Sequence, residues 1–262
     1  MALPLVKIPA KQIVVLTKFL QKVKKLRKRN LIECKSMKVS NTVVYFNRLH
    51  TLRAEYCNSL SGQGLINVAA SCVNLRVLSL SKCKQLFDHD LIEPMKVMTK
   101  LEELDLSFTN VSGKCFNSLP SFEGNLKKLK MNCCAKLIDE SLFVILSRCK
   151  HLKYLDISAT YVTGIPLKSL VLTKLTQLHL DFCPKLSAEV AMALPRTTPN
   201  LRKLSAYGIW LSGLDINLHQ ELTRNIQSLK VKHKSYIRPS KDYSQQVLFM
   251  MITGCNFHTS WN

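Results

Sequence analysis

The sequence predicts an α/β solenoid of right-handed turns, with short strands on the concave side and helices on the convex side. Three observations predict it. The pattern L-x-x-L-x-L recurs seven times at nearly constant spacing. A small residue, cysteine or threonine, stands at a fixed place behind the motif in six of those units. Which of the two is present covaries with the length of the unit. Self-similarity at a period of 20–50 residues is the signature of a stacked repeat, each unit burying its apolar face against the next.

The motifs begin at Leu49, Leu75, Leu101, Leu126, Leu152, Leu175 and Leu201, spaced by 26, 26, 25, 26, 23 and 26 residues. They read LHTLRAEYC, LRVLSLSKC, LEELDLSFT, LKKLKMNCC, LKYLDISAT, LTQLHLDFC and LRKLSAYGI. With the first leucine as offset 0, offsets 3 and 5 fall on one side of a short strand, as in Leu78/Leu80, Leu104/Leu106 and Leu178/Leu180. Offset 8 is Cys57, Cys83, Cys134 or Cys183 in four units and Thr109 or Thr160 in two. After a cysteine the next core residue follows three positions later (Leu60, Leu86, Leu137, Leu186). After a threonine it follows two later (Val111, Val162), and those units are the short ones.

The segment that closes each unit is expected to be an amphipathic helix. In LIDESLFVILSRCKHL, Leu142, Ile145, Leu146 and Cys149 recur at helical spacing behind Asp139 and Ser141, which read as start signals. Two degenerate units flank the series, one marked by Leu26, Leu31 and Cys34, the other by Ile226, Leu229 and Val231. Terminal repeats of a solenoid are habitually atypical because they cap it. The expected organisation is a basic N-terminal segment with a degenerate capping repeat over 1–48, repeats over 49–225, and a degenerate terminal repeat with a C-terminal tail over 226–262.

Composition narrows the function. At 262 residues and 47% hydrophobic content the chain can bury a sizeable core. It has no apolar run of the roughly 20 residues a membrane helix needs; the longest candidate, Gln12 to Leu20, is interrupted by Lys18. The N-terminus does not show the apolar region and small-residue cleavage site of a secretory signal. Ten cysteines contain no C-x-x-C pair, so a structural zinc site is not expected. The thiols read as reduced and the compartment as cytoplasmic or nuclear. The net charge of +21 is uneven: residues 1–50 carry 12 Lys/Arg against Glu33 alone, while 51–262 carry 26 against 16.

No enzyme is expected, and neither cofactor nor metal. Asp105 and Asp156, a strand or two apart, are the nearest thing to catalytic acids. No nucleophile–base pair, phosphate loop or metal-ligand cluster accompanies them. The expected working surface is the inner sheet, where offsets 2, 4 and 6 face outward. Its candidate partner-binding residues are Arg53, Glu103, Asp105, Lys128, Lys130, Tyr154, Asp156, Gln177, His179, Asp181, Lys203 and Tyr207. Its charges, Arg53, Lys128, Lys130 and Lys203 against Glu55, Glu103, Asp105, Asp156 and Asp181, nearly cancel. Nucleic acid would want positive charge gathered on its binding face, so this face is expected to take a protein, with Tyr154 and Tyr207 as aromatic anchors. The strip 18-KFLQKVKKLRKR-29 reads either as a capping helix with a solvated basic face or as a dock for nucleic acid or anionic membrane.

In CPKLSAEVAMAL, LFVILSRCKHLKYLDIS and NLRVLSLSKCKQL the chain resembles the cysteine-containing subfamily of leucine-rich repeats, whose units look like C-P-x-L-T-D-x-x-L-x-x-L-x-x-x-C-x-x-L-x-x-L-D-L-S. The resemblance covers roughly residues 49–210. It implies a horseshoe like that of ribonuclease inhibitor. The subfamily is typified by F-box/leucine-rich-repeat proteins, substrate receptors of SCF ubiquitin ligases, and by related antagonists of mitotic exit. The resemblance therefore implies a protein-recognition scaffold in a ubiquitin ligase pathway. An F-box, the helical module that contacts the ligase adaptor, is not evident in the 25 residues before Leu26. Adaptor binding is accordingly expected only if an F-box lies outside this chain.

Overall fold

The computed structural model describes residues 28–30, 49–58, 60–118, 125–206 and 228–230. Nine three-residue strands form one parallel sheet in strictly sequential order: β1 (Lys28–Asn30), β2 (Thr51–Arg53), β3 (Val77–Ser79), β4 (Glu103–Asp105), β5 (Lys128–Lys130), β6 (Tyr154–Asp156), β7 (Gln177–His179), β8 (Lys203–Ser205) and β9 (Ser228–Lys230). The register aligns Leu52, Leu78, Leu104, Leu129, Leu155, Leu178, Leu204 and Leu229 in a single row. This row is offset 3 of each motif. Parallel strands need a crossover between them, and each repeat supplies one on the same side of the sheet. The architecture is a leucine-rich-repeat solenoid.

The crossovers come in two kinds. Behind the cysteine units stand ten-residue helices: α1 (Gly62–Ser71), α2 (Asp88–Val97), α3 (Asp139–Arg148) and α5 (Ala188–Thr197). Behind the threonine units stand a 3-10 helix (Lys114–Ser118) and the five-residue α4 (Ile165–Ser169). The covariation of turn residue and length read in the sequence is thus a difference in crossover. The core runs between sheet and crossovers, through Leu80, Leu106, Ile157 and Leu180 at offset 5 and helix residues such as Leu91, Leu142 and Ile145, all buried.

The offset-8 cysteines tie adjacent repeats together. Cys83, Cys134 and Cys183 donate their thiols to the carbonyls of Ala54, Leu106 and Ile157 in the preceding repeat, at 3.1, 3.1 and 3.3 Å. Thr109 and Thr160 donate instead to Leu106 and Ile157 of their own repeats, at 2.6 and 2.7 Å. Each shared carbonyl therefore serves a threonine and the next repeat's cysteine. Burial pushes the thiols of Cys72, Cys83, Cys134 and Cys149 up to about 12 and that of Cys183 to about 11, leaving little reactive thiolate.

One expectation about helix starts is corrected. Asp139 and Ser141 do not cap α3, whose N-cap is Ile138 with no side-chain bond. Ser141 is buried, and Asp139 reaches into the next repeat. Its carboxylate accepts the Thr163 amide (3.0 Å), the Thr163 hydroxyl (2.9 Å) and the Gly164 amide (3.1 Å). Asp88 does the same one pair of repeats earlier, accepting from Ser112 twice at 2.9 Å and from the Cys115 amide at 3.0 Å. Both recipients are short repeats, and both carry glycine at offset 12 with φ of +87° (Gly113) and +82° (Gly164). A Cβ there would also meet Ser141 Cβ at 2.9 Å or Leu186 Cδ1 at 2.8 Å.

Candidate functional site

Strand pairing builds the inner face in rows. β4 to β7 line up Glu103, Lys128, Tyr154 and Gln177 at offset 2, then Asp105, Lys130, Asp156 and His179 at offset 4. Asp181 follows two residues beyond His179. Neighbouring members of a row are one strand spacing apart, about 4.8 Å. Nine of the twelve expected residues therefore converge on one patch. Lys203 extends the first row by one strand beside Gln177, and Arg53 lies at the far end on β2. Tyr207 and residues 18–27 of the basic strip lie outside the described residues, as do Cys34 and Cys255.

Charges on this patch neutralise one another across repeats. Lys128 Nζ lies 3.7 Å from Glu103 and Lys130 Nζ 3.5 Å from Asp105. Lys128 also sits 5.0 Å above the Tyr154 ring, a cation–π geometry. The Tyr154 and His179 rings have centroids 5.0 Å apart at an interplanar angle of 34°. These two rings form the centre of the patch, edged by Asp105, Asp156 and Asp181. Burial, then the neighbouring Asp156, Asp105 and Asp181, pushes the Tyr154 hydroxyl well above its usual range, so it stays a neutral donor.

Asp105 and Asp156, the nominal candidates for acid chemistry, each accept the amide two residues on, Ser107 and Ser158, at 3.1 Å. They fix the chain as it leaves the strand. Burial raises the Asp156 carboxyl and Asp181 adds to that, while the Ser158 bonds and His179 pull it back. Among the described residues no group of three or more His, Cys, Asp or Glu could hold a metal ion, and no helix is long and apolar enough to cross a membrane. A hollow of about 30 Å³ lies between Arg53, Ser79, Asp105 and Lys130, against the several hundred Å³ usual for a small-molecule site.

Sequence reasoning missed two features. A ladder of short polar side chains at offsets 4 and 6 stitches the repeats: Ser79 donates to Glu55 at 3.1 Å, Ser107 to Asn132, and Ser205 to both Asp181 oxygens at 2.7 and 2.9 Å. The recurrence of serine at those offsets was its signal. The second is the turn at offset 7, where Tyr56, Lys82, Phe108, Cys133, Ala159 and Phe182 all have φ between +53° and +65°. Each of the first five gives its amide to the next repeat's offset-6 carbonyl, at 2.6 to 2.9 Å. The side chains share no chemistry, so nothing in the sequence marked them. Cys133 holds this left-handed position half-buried. Lys82 is almost wholly buried there, its ammonium 4.4 Å over the Tyr56 ring and 5.3 Å over that of Phe108.

Comparison with known proteins agrees with this architecture. No family model matches the chain. F-box/LRR-repeat protein 4 of Bos taurus is 29% identical over 155 residues, covering 52% of this chain and 23% of that protein. A chain of the yeast Rad7–Elc1 complex superposes with a TM-score of 0.54 at 21% identity, covering 74% of this chain and 47% of that one. An internalin (inlF) of Listeria monocytogenes superposes with a TM-score of 0.55 at 16% identity, covering 82% and 64%. The chain thus spans about a quarter of the curated relative it matches. Its repeat region resembles those of F-box/LRR proteins.

Proposed function

We propose, from the resemblance of these repeats to F-box/LRR proteins, that the chain is a non-catalytic protein-recognition scaffold and selects substrates for an SCF-type ubiquitin ligase. The observation that carries recognition is the inner-face patch. It presents two packed rings flanked by paired charges of both signs, on strands held rigidly by their neighbours. Aromatic side chains surrounded by polar rims are the usual anchors of protein interfaces. Arg53, Glu103, Asp105, Lys128, Lys130, Tyr154, Asp156, Gln177, His179, Asp181, Lys203 and Tyr207 are the proposed contacts. The eight described cysteines, all free thiols, fit a reducing cytoplasmic or nuclear setting.

The test is capture of partners by the full chain and by Tyr154→Ala and His179→Ala, with quantitative mass spectrometry of what is retained. Truncating a central anchor costs about 2 kcal/mol or more, roughly a thirtyfold loss of affinity. Specific partners should fall away in both variants while melting temperature is unchanged. Retention of every partner by both variants would remove the inner face from the function. Ubiquitylation dependent on co-expressed SCF components, and lost with Tyr154→Ala, separates the ligase reading from a ligase-independent scaffold that blocks or bridges partners. Direct, saturable adaptor binding by the chain would place recruitment within it.

A further inference from the structure

Charge is sorted along the strand axis rather than between the two faces of the sheet. Take the four segments that lead from a crossover into β5, β6, β7 and β8, residues 125–128, 148–153, 168–176 and 196–203. They contain ten Lys or Arg and no Asp or Glu. The segments that leave β5, β6 and β7 for the next helix, 130–140, 156–165 and 179–189, contain three cations and five carboxylates. From β5 to β8 the rim at the start of the strands is therefore positive, and the rim at their ends is not.

The repeat holds three of these cations, Lys127, Lys153 and Arg202, in one row, with Thr176 between the last two. Lys153 donates its amide to the Lys127 carbonyl at 2.8 Å, Thr176 to Lys153 at 2.9 Å, and Arg202 to Thr176 at 2.9 Å. Successive rim positions are thus one strand spacing apart, about 4.8 Å. Lys127, Lys150, Lys153, Lys174, Arg202 and Lys203 are all exposed. Lys127 pairs with Glu102 at 2.8 Å; the other five have no carboxylate partner among the described residues. Between Lys150 and Lys174 a groove of about 290 Å³ opens, lined by Leu146, Cys149, Leu170 and Leu172 among others.

We propose that this rim binds single-stranded nucleic acid, its phosphates following the row of cations and one base entering the groove between Lys150 and Lys174. A polyanion with one charge per unit and a flexible backbone matches a run of cations without carboxylate partners along one edge. The site adjoins the inner face at Lys128 and Lys203, two of that face's proposed contacts, but the four cations it rests on, Lys150, Lys153, Lys174 and Arg202, lie outside that face.

The test is fluorescence anisotropy of the full chain with a labelled mixed-sequence oligonucleotide of about 20 nucleotides across a salt series, long enough to span several contacts. Wild type should bind with salt dependence, and the quadruple variant Lys150→Glu/Lys153→Glu/Lys174→Glu/Arg202→Glu should lose at least about tenfold in affinity. Its salt slope should flatten by about 2 to 3, given roughly 0.7 per phosphate contact on a single strand. The glutamine versions of the same four changes should give a smaller loss in the same direction, guarding against misfolding by charge reversal. Lys84→Glu/Lys114→Glu/Lys136→Glu/Lys185→Glu changes net charge equally at the other rim and should stay within about threefold of wild type. The proposal is overturned if wild type shows no salt-dependent binding, or if both quadruple variants lose affinity alike. It is equally overturned if replacing Lys22, Lys24, Lys25 and Arg27 by glutamine alone abolishes binding, or if duplex DNA or polyglutamate competes as well as the oligonucleotide.

Discussion

At the scale of single residues, Asp156 shows how a sequence position can carry two opposed demands. Its oxygen is needed to hold the Ser158 amide, yet burial beside Asp181 raises its carboxyl above the usual range. The sign follows from linkage. Because the folded value lies above the unfolded one, about 3.9, the stabilisation is fully present below that value and is lost as pH rises through the folded one. Asp156→Asn keeps an acceptor for Ser158 and has no charge to desolvate. The variant should therefore melt above wild type at about pH 7.5 and converge with it near pH 4, measured by thermal denaturation across the series. A variant less stable than wild type at the higher pH would mean that the Ser158 bonds to the charged carboxylate outweigh its burial. His179 itself was legible only as an outward-facing histidine; its ring contact with Tyr154 depends on strand spacing and side-chain direction, which no motif records.

At the scale of elements, the two short repeats are a matched design. Both read T-x-V-[ST]-G, and both receive an aspartate from the repeat before them, Asp88 or Asp139. For Asp88, burial disfavours the charge, but the bonds from Ser112 and Cys115 outweigh it and hold the carboxyl below its ordinary value. Losing such charge-assisted bonds by Asp88→Ala should cost about 2 kcal/mol, lowering the melting temperature by about 6 °C. Gly164→Ala should cost about 1 to 2 kcal/mol from its positive φ and crowding against Leu186. Exposed Glu140→Ala should cost under about 0.5 kcal/mol. Calorimetry of the three variants checks the order; equal effects from Asp88→Ala and Glu140→Ala would discard the lock. The lengths of the short crossovers were legible from spacing, because a solenoid cannot skip a residue without shortening something. The aspartate's destination was not, since an acid before a helix has the same local sequence whether it caps that helix or reaches across.

At the scale of the molecule, the repeat itself was the most legible feature. Leucines at offsets 3 and 5 can be buried only if strand follows strand in one register, so periodicity determined strand order, pairing and core together. The inner-face candidates followed from the same alternation, and nine of them do share a patch. The charged rim escaped notice because counting by face ignores offset 1 and the residues before it. Sorting by position along the strand, instead of by side of the sheet, exposes it.

The aspartate locks also set how the chain must come apart. Asp88 joins the repeat beginning at Leu75 to the one at Leu101, and Asp139 joins Leu126 to Leu152, while Cys134, Ser107 and the lysines Lys127, Lys128 and Lys130 hold the junction between Leu101 and Leu126. In a one-dimensional array each junction opens with its own energy, so removing one tie frees the units on either side of it. In native-state amide exchange Asp139→Ala should accordingly let Thr163 and Gly164 exchange ahead of α3, while 75–118 keeps its wild-type protection.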